Sequence, residues 1–235
     1  MQDRNKRLST FAVAGVTALV LVACGGDDTG GAGGQNATTP ASEPAAASPV
    51  DTKAQEVATG FVEAFGAFDA DRAISYLADD ADILPLMTEV GIQDAEGTLD
   101  EFRLLISMER AVGSKLMLDP CEEYESSASP TEVRCTFDVH SLGSDEIGLG
   151  PYSGNYFALT VRDGEIVRAS QYRNYTDIYS EMWRPFATWV ASNYPDDVEV
   201  MYQIGGHGER LTSESIRLWE QHIREYVEEV KQGTA

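Results

Sequence analysis

Three acidic residues stand close together in "ADDADILPL" at positions 78–86, where Asp79, Asp80 and Asp82 fall within four positions. Carboxylates grouped in this way can act as general acid and base, or as ligands of a hard cation. The same carboxylates can instead be the solvated end of a helix that precedes the apolar run. The residues alone leave both interpretations open.

A second candidate pair lies on a predicted strand, where Asp138 and His140 are two residues apart in "EVRCTFDVH". Residues i and i+2 of a strand share a face, so this pair could transfer a proton or bind a metal. The opposite face carries three apolar residues that should point into the core: Cys135, Phe137 and Val139. We therefore expect Asp138 and His140 to be exposed to solvent.

The other two histidines do not stand in a recognisable motif. His207 lies in the Gly-rich segment "IGGHGER", which lacks the Gly-Lys-Ser/Thr of a phosphate-binding loop. His222 is expected on the polar side of the last helix. Because the chain has no His-x-x-x-His or Cys-x-x-Cys spacing, we predict neither a metal site nor a cofactor.

Two of the three cysteines, Cys121 and Cys135, flank a turn signal at residues 126–130. A hairpin centred on residue 128 would set these two positions directly opposite each other. Opposed residues can have Cα atoms about 4.5–5.5 Å apart, which a disulfide spans. We predict a disulfide, as expected in an oxidising compartment, with two buried free thiols as the alternative.

Helical patterns dominate the first half of the domain. The segment 51–68 places four apolar residues on one face: Val57, Phe61, Phe65 and Phe68. Asp69 or Asp71 should cap a shorter second helix. The segment "TLDEFRLLISMERAVG" begins with a capping box formed by Thr98 and Glu101, and it ends at Gly113.

Strand patterns follow in the middle of the chain. "NYFALTV" and "EIVRASQYRNY" are predicted strands on either side of an Asp163-Gly164 hairpin turn. Helical spacing returns in "EMWRPFATWV" and in a last helix over residues 212–232. That helix has an apolar side, and we predict that it packs against the domain with Trp219 near Trp183 and Trp189.

The order of these elements resembles the nuclear transport factor 2-like superfamily, which includes ketosteroid isomerases and SnoaL-like cyclases. The resemblance rests on "GFVEAFGAFDADRAISYLADDADI" at 60–83 and "VRDGEIVRASQYRNY" at 161–175, and it covers roughly residues 52–190. It implies an α+β fold, a cone-shaped barrel of curved antiparallel sheet with N-terminal helices. Extra C-terminal helices would follow, and "MWRPFATWV" at 182–190 looks like helices appended to this fold in exported actinobacterial lipoproteins.

The same resemblance implies that the known catalytic positions are missing. The catalytic aspartate of ketosteroid isomerases aligns with Pro85, their tyrosine with Phe61, and their second acid falls near Phe157. None of these side chains can transfer a proton. In this fold "ADDA" ends the second helix, so Asp79 and Asp80 would be a solvated helix end. We accordingly assign no catalytic residue.

A pocket inside the cone is the candidate ligand site. Amides can hold a ligand by hydrogen bonds but cannot act as acid or base near neutral pH. We expect eight residues to line this pocket: Phe61, Phe65, Phe137, Phe157, Gln171, Tyr172, Asn174 and Trp183. For Gln171, Tyr172 and Asn174, the alternative is ordinary strand packing and a solvent-facing amide.

The first 23 residues are typical of a signal peptide, with Arg4, Lys6 and Arg7 before a short apolar stretch. The following Leu21-Val22-Ala23-Cys24 resembles a bacterial lipobox, which implies lipidation of Cys24 at the start of the mature chain. An ordinary cleaved signal with a chance cysteine is the alternative. Lipidation would place the protein on the extracytoplasmic face of the cell membrane.

Residues 24–50 are expected to form a disordered tether, since 20 of the 26 residues from Gly25 to Val50 are Gly, Ala, Pro, Ser or Thr. The domain would then occupy residues 51–235. Without residues 1–23, which carry three basic side chains and one acidic one, the formal charge changes from −22 to −24. Such an acidic surface disfavours nucleic acid as a partner.

These observations favour a membrane-anchored, non-catalytic module that binds a small apolar ligand or an envelope protein. The first alternative is a lyase, isomerase or hydrolase that uses the cone pocket together with Asp138, His140 or Tyr172. The second is an assembly module whose sheet pairs with itself or with a cell-wall enzyme. The sequence is compatible with both a monomer and a homodimer. The sequence does not identify the ligand or the partner.

Overall fold

The structure is a computed structural model that describes residues 49–92, 94–124, 131–203 and 208–233. Cys24 and residues 1–48 lie outside the described residues, as does His207. The α-helices are α1 (Pro49–Gly66), α2 (Ala70–Ile74), α3 (Leu84–Thr88), α4 (Leu99–Ala111), α5 (Thr176–Ile178), α6 (Arg184–Asn193), α7 (Val198–Met201) and α8 (Ser213–Gln232). The strands are β1 (Leu77–Asp82), β2 (Lys115–Leu118), β3 (Glu122–Glu123), β4 (Thr131–His140), β5 (Tyr152–Arg162) and β6 (Glu165–Tyr172).

Hydrogen bonds from side chains fix the helix starts that the sequence predicts. Asp69 caps α2, where its carboxylate accepts from the backbone N–H of Arg72 at 3.1 Å. Thr98 and Glu101 form the reciprocal capping box of α4. Each cap satisfies backbone N–H groups that have no partner inside the helix.

The fold is α+β, with one curved sheet in the order β1-β6-β5-β4-β2 and with β3 paired to β4. The α+β class is therefore confirmed. The expected antiparallel barrel is corrected in two respects, because β1 pairs with β6 in parallel and β1 does not pair with β2. A barrel needs its two edge strands joined, so this sheet stays open and the helices cover its inner face.

The hairpin between β5 and β6 turns at Asp163 and Gly164, whose φ angles of 56° and 86° are both positive. Two positive φ angles are typical of the type I′ turn that the Asp-Gly pair predicts. The disulfide Cys121–Cys135 is also present, with Cα atoms 4.1 Å apart. Pairing of Glu122 with Arg134 continues to Cys121 and Cys135, as the predicted register requires.

The acidic cluster is exposed, as expected, but it is not a helix end. Helix α2 stops at Ile74, and Asp79, Asp80 and Asp82 belong to β1. The carboxylate of Asp82 accepts a hydrogen bond from Arg168 on β6 at 2.8 Å. The parallel pairing with β6 therefore recruits residues that the sequence pattern assigns to the preceding helix.

The last helix, α8, packs against the domain through aromatic contacts. Trp219 is fully buried, and its ring centre lies 5.3 Å from that of Trp183 and 5.2 Å from that of Phe186. The expected contact with the aromatic helix is thus present, although Trp189 packs on Tyr226 instead.

The expectation that His222 faces solvent is wrong. Its side chain is buried, its Nε2 lies 2.8 Å from the Asp197 carboxylate, and its ring stacks on Tyr194 at 4.1 Å. The apolar face of α8 is wider than the predicted stripe, because the segment 194–201 folds back over it. A histidine at the edge of that stripe is therefore covered.

Candidate ligand-binding site

Two adjoining cavities open at one end of the domain, near the C-terminal half of α4 and the helix that follows β6. The inner cavity has a volume of about 50 Å³ and the outer cavity about 220 Å³. They share four lining residues: Val90, Tyr175, Trp183 and Glu209. The apolar lining of the inner cavity includes Val90, Ile92, Leu105, Met108, Val112 and Leu142.

Helix α4 contributes one wall of the inner cavity. Leu105, Met108 and Val112 are spaced three and four residues apart, so they lie on one helix face, and all three are buried. Glu109 lies on the same face and is also buried, which is rare for a carboxylate without a partner. This wall therefore combines an apolar surface with one fixed charge.

The partner of Glu109 is Arg173, which follows β6. Its Nη2 donates to the Glu109 carboxylate at 2.8 Å, and only 8% of each side chain is exposed. The second carboxylate oxygen accepts from the Ser114 hydroxyl at 2.5 Å. Burial works against the charged guanidinium, but the Glu109 carboxylate outweighs it and raises the pKa of Arg173. Both charges are thus held in place beside the inner cavity.

Gln171 supports Arg173 from behind. With the amide assigned so that its oxygen faces the guanidinium, that oxygen accepts from Nη2 at 2.8 Å and from Nε at 2.5 Å. Nη1 of Arg173 has no hydrogen-bond partner among the residues that the structure describes. Its N–H groups are therefore free to donate to an acceptor in the inner cavity.

Glu209 adds a titratable carboxyl where the two cavities meet. Burial is the main cause that raises its pKa to about 7, and the nearby Glu109 carboxylate adds to the effect. Its backbone forms an antiparallel bridge with Tyr202. At neutral pH this group divides between its protonated and ionised forms, so it can exchange a proton with a ligand.

An aromatic wall lines the outer cavity. It consists of Tyr175, at the N-cap of α5, and of Tyr179 and Trp183, which follow at intervals of four residues. The segment from α5 to α6 is continuously helical and contains a π-helical turn at Tyr179–Trp183. Such turns occur frequently at functional sites. Trp183 is held by ring contacts with Trp219 and Tyr202, at 5.3 and 5.8 Å between centres. This part of the wall is therefore fixed by the core.

No family model matches the sequence, and no curated protein matches it. Solved structures with a similar arrangement include a candidate polyketide cyclase from Xanthomonas campestris pv. campestris, with 19% identity and a TM-score of 0.41. A second is an NTF2-like protein of unknown function from Cytophaga hutchinsonii, with 11% identity and a TM-score of 0.37. A third is Rv0760c from Mycobacterium tuberculosis, with 18% identity and a TM-score of 0.38.

These three similarities cover 56, 53 and 52% of this chain, and 97, 93 and 94% of the other chains. At such low identity and TM-score they transfer neither a substrate nor an activity. The proposed function therefore rests on the geometry of the two cavities.

Four of the eight residues expected to line a pocket lie instead in a closed aromatic cluster. This cluster consists of Phe61, Phe65, Phe137 and Phe157, each of which is at most 1% exposed. The centres of rings in contact are 5.0 to 6.4 Å apart. They line neither cavity. The inner part of the cone is filled because α1 contributes two phenyl rings to it and β4 and β5 contribute one each.

The other four candidates are divided between the site and the surface. Trp183 lines both cavities, and Gln171 is buried behind Arg173. Tyr172 is 47% exposed on the outer face of the sheet, where it stacks on Tyr156. Asn174 shapes the bend after β6, since its backbone N–H donates to the Asn155 side chain at 3.0 Å.

The residues of the enzyme hypothesis are also outside the site. Asp138 and His140 do not line either cavity, and the Nδ1 of His140 lies 3.2 Å from the Ser144 hydroxyl.

In the described part of the chain, no helix is both long enough and apolar enough to span a membrane. No three His, Cys, Asp or Glu residues of that part lie close enough together to hold a metal.

Sequence reasoning missed the charged residues of the site. Arg173 could have been found, because the alternation that turns Gln171 inward also turns the residue two positions later inward. Glu109 is four residues after Leu105 and three before Val112, so helical spacing places it on their face, and a charge on such an apolar face indicates a partner or a function. Glu209 follows a Gly-rich segment, and no local pattern distinguishes it.

Proposed function

We propose that this protein binds a small, mainly apolar molecule in the inner and outer cavities. This proposal rests on the lining of the inner cavity, which is mainly apolar and includes the buried guanidinium of Arg173. Ligand sites are typically apolar hollows with a few polar groups that fix the orientation of the ligand. Here Arg173 would meet a hydrogen-bond acceptor, and Leu105, Met108 and Val112 would contact the apolar part.

We further propose that binding takes place at the extracytoplasmic face of the cell membrane. This proposal rests on the lipobox at Leu21–Cys24 and on the composition of the tether. A chain of 26 residues with this composition would span roughly 30 Å as a coil, enough to hold the domain away from the lipid.

Calorimetric titration with the 1-alkanols from butanol to octanol tests the binding function. We expect saturable binding whose affinity rises with chain length until the cavities are filled. In the variant Val90→Trp, the indole would occupy the boundary of the two cavities and abolish binding. The matched variant Val167→Trp adds the same side chain away from the cavities and should bind as the unchanged protein does.

A lyase or isomerase activity is the second candidate, and Glu209 is the observation that favours it. A carboxyl with a pKa of about 7 can act as general base or acid at neutral pH. Turnover of a bound carbonyl compound that disappears in Glu209→Gln, with ligand affinity retained, would establish this candidate. Retained turnover in that variant would exclude Glu209 as the catalytic base.

A further inference from the structure

We infer that the outer cavity recognises an organic cation, so that the ligand is an amphiphile with an ammonium head and a short apolar tail. This inference rests on the proposed ligand-binding function and specifies the ligand class. The head would lie between Tyr175, Tyr179 and Trp183. The tail would enter the inner cavity past Val90, and an acceptor at the end of the tail would meet Arg173.

The lining of the outer cavity carries charge of one sign only. Among the residues that the structure describes, its charged members are Glu89 and Glu209, and no lysine or arginine lines it. Arg173 contacts the inner cavity and is already paired with Glu109. An anionic head would therefore meet no opposite charge in the lining of the outer cavity, whereas a cation would meet Glu89 and the ionised form of Glu209.

The aromatic wall selects the kind of cation. Three rings from one helical segment face a space of about 220 Å³, which accommodates a trimethylammonium or a primary ammonium group. The faces of Trp and Tyr rings attract such cations, and cages of these residues recognise quaternary ammonium groups. A metal ion would instead require several oxygen ligands in a closed shell.

The protonation of Glu209 couples to this binding. Desolvation raises the pKa of this half-buried carboxyl to about 7, and the Glu109 carboxylate adds to the effect while Arg173 opposes it. A bound ammonium favours the ionised form, so binding would release a proton near neutral pH. Affinity for the cation should consequently fall as the pH decreases through 7, because the carboxylate is then neutralised.

Calorimetric titration of the full chain with three matched probes tests the inference: hexyltrimethylammonium, 1-hexanol and hexanoate. We expect the ammonium to bind about tenfold tighter than the alcohol, and tighter than hexanoate. Equal affinity of alcohol and ammonium, or preference for hexanoate, would overturn the cation inference and leave the binding function standing. Failure of all three probes to bind would overturn both.

Two variants with matched controls localise the effect. Glu209→Gln should bring the ratio of ammonium affinity to 1-hexanol affinity towards one and remove the pH dependence of that ratio between pH 6 and 8. Glu228→Gln on the exposed side of α8 should change neither. Tyr179→Ala should weaken ammonium binding, and Tyr172→Ala, an equally exposed tyrosine away from the cavities, should not. An unchanged ammonium preference in both Glu209→Gln and Tyr179→Ala would contradict the inference.

Discussion

Arg173 and Glu109 form an ion pair of 2.8 Å inside the domain, at the wall of the inner cavity. The loss of hydration offsets most of the attraction in such a buried pair, so the pair itself adds little to stability. What it does provide is a guanidinium of fixed orientation, with Nη1 unpartnered among the described residues and available to a ligand. We therefore assign the pair a role in binding.

The first prediction concerns this pair. Arg173→Met leaves the Glu109 carboxylate buried without its partner, and the free energy of unfolding should fall by about 3–5 kcal/mol. The double variant Arg173→Met/Glu109→Leu removes both charges, so it should recover most of the loss. Urea unfolding of the two variants measures the difference, and equal losses would show that the two charges do not act as a pair.

The second prediction concerns the pH dependence of stability. The pKa of Glu209 is about 7 in the folded protein, above its unfolded value, so the folded state retains a proton that the unfolded state loses. Its contribution to stability is therefore present at low pH and is lost as the pH rises towards 7. Glu209→Gln should be more stable than the unchanged protein at pH 8 and similar to it at pH 4.5.

Thermal unfolding at the two pH values checks this prediction. Glu228→Gln, which removes an exposed carboxylate from α8, serves as the control and should show no such difference. A Glu209→Gln variant with the same relative stability at both pH values would mean that the carboxyl titrates in its ordinary range.

The third prediction concerns helix α8. Trp219 is fully buried and packs on Trp183, so Trp219→Ala should lower the free energy of unfolding by about 3–5 kcal/mol. Truncation after residue 210 should lower the melting temperature further and weaken alkanol binding, because Trp183 loses its support. A truncated chain of unchanged stability would indicate that α8 is a docking element for a partner instead.

The fourth prediction concerns the membrane anchor. Replacement of Cys24 by serine or alanine would remove the proposed acyl acceptor, so the protein should leave the membrane fraction or accumulate as an unprocessed precursor. Fractionation of cells that express each variant, followed by sizing of the protein, measures the outcome. A mature-sized variant that remains on membranes would contradict the lipobox assignment.

Local patterns were sufficient for most of the fold. The capping box at Thr98, the Asp163-Gly164 turn and the Cys121–Cys135 register each depend on residues close in the sequence, and each is present. The errors arise where distant segments meet. Parallel pairing of β1 with β6 moves Asp79 and Asp80 onto a strand, and the segment over α8 buries His222.

The site was less predictable than the fold for the same reason. Trp183, which was expected at the pocket, lines both cavities. The predicted phenylalanines instead fill the cone, since no sequence pattern shows how closely rings from different elements approach. Arg173, Glu109 and Glu209 come from three separate segments, and only the tertiary fold brings their charges together.

The central claim is that the two cavities bind a ligand, and the indole N–H signals of the three tryptophans test it directly. Trp183 lines both cavities, whereas the indole of Trp189 donates to Glu229 at 2.9 Å and lies outside both linings. In a ¹⁵N-resolved NMR titration with 1-hexanol, the Trp183 signal should shift saturably while the Trp189 signal stays in place. A Trp183 signal that does not move at saturating 1-hexanol, or that moves only together with Trp189, would contradict the claim.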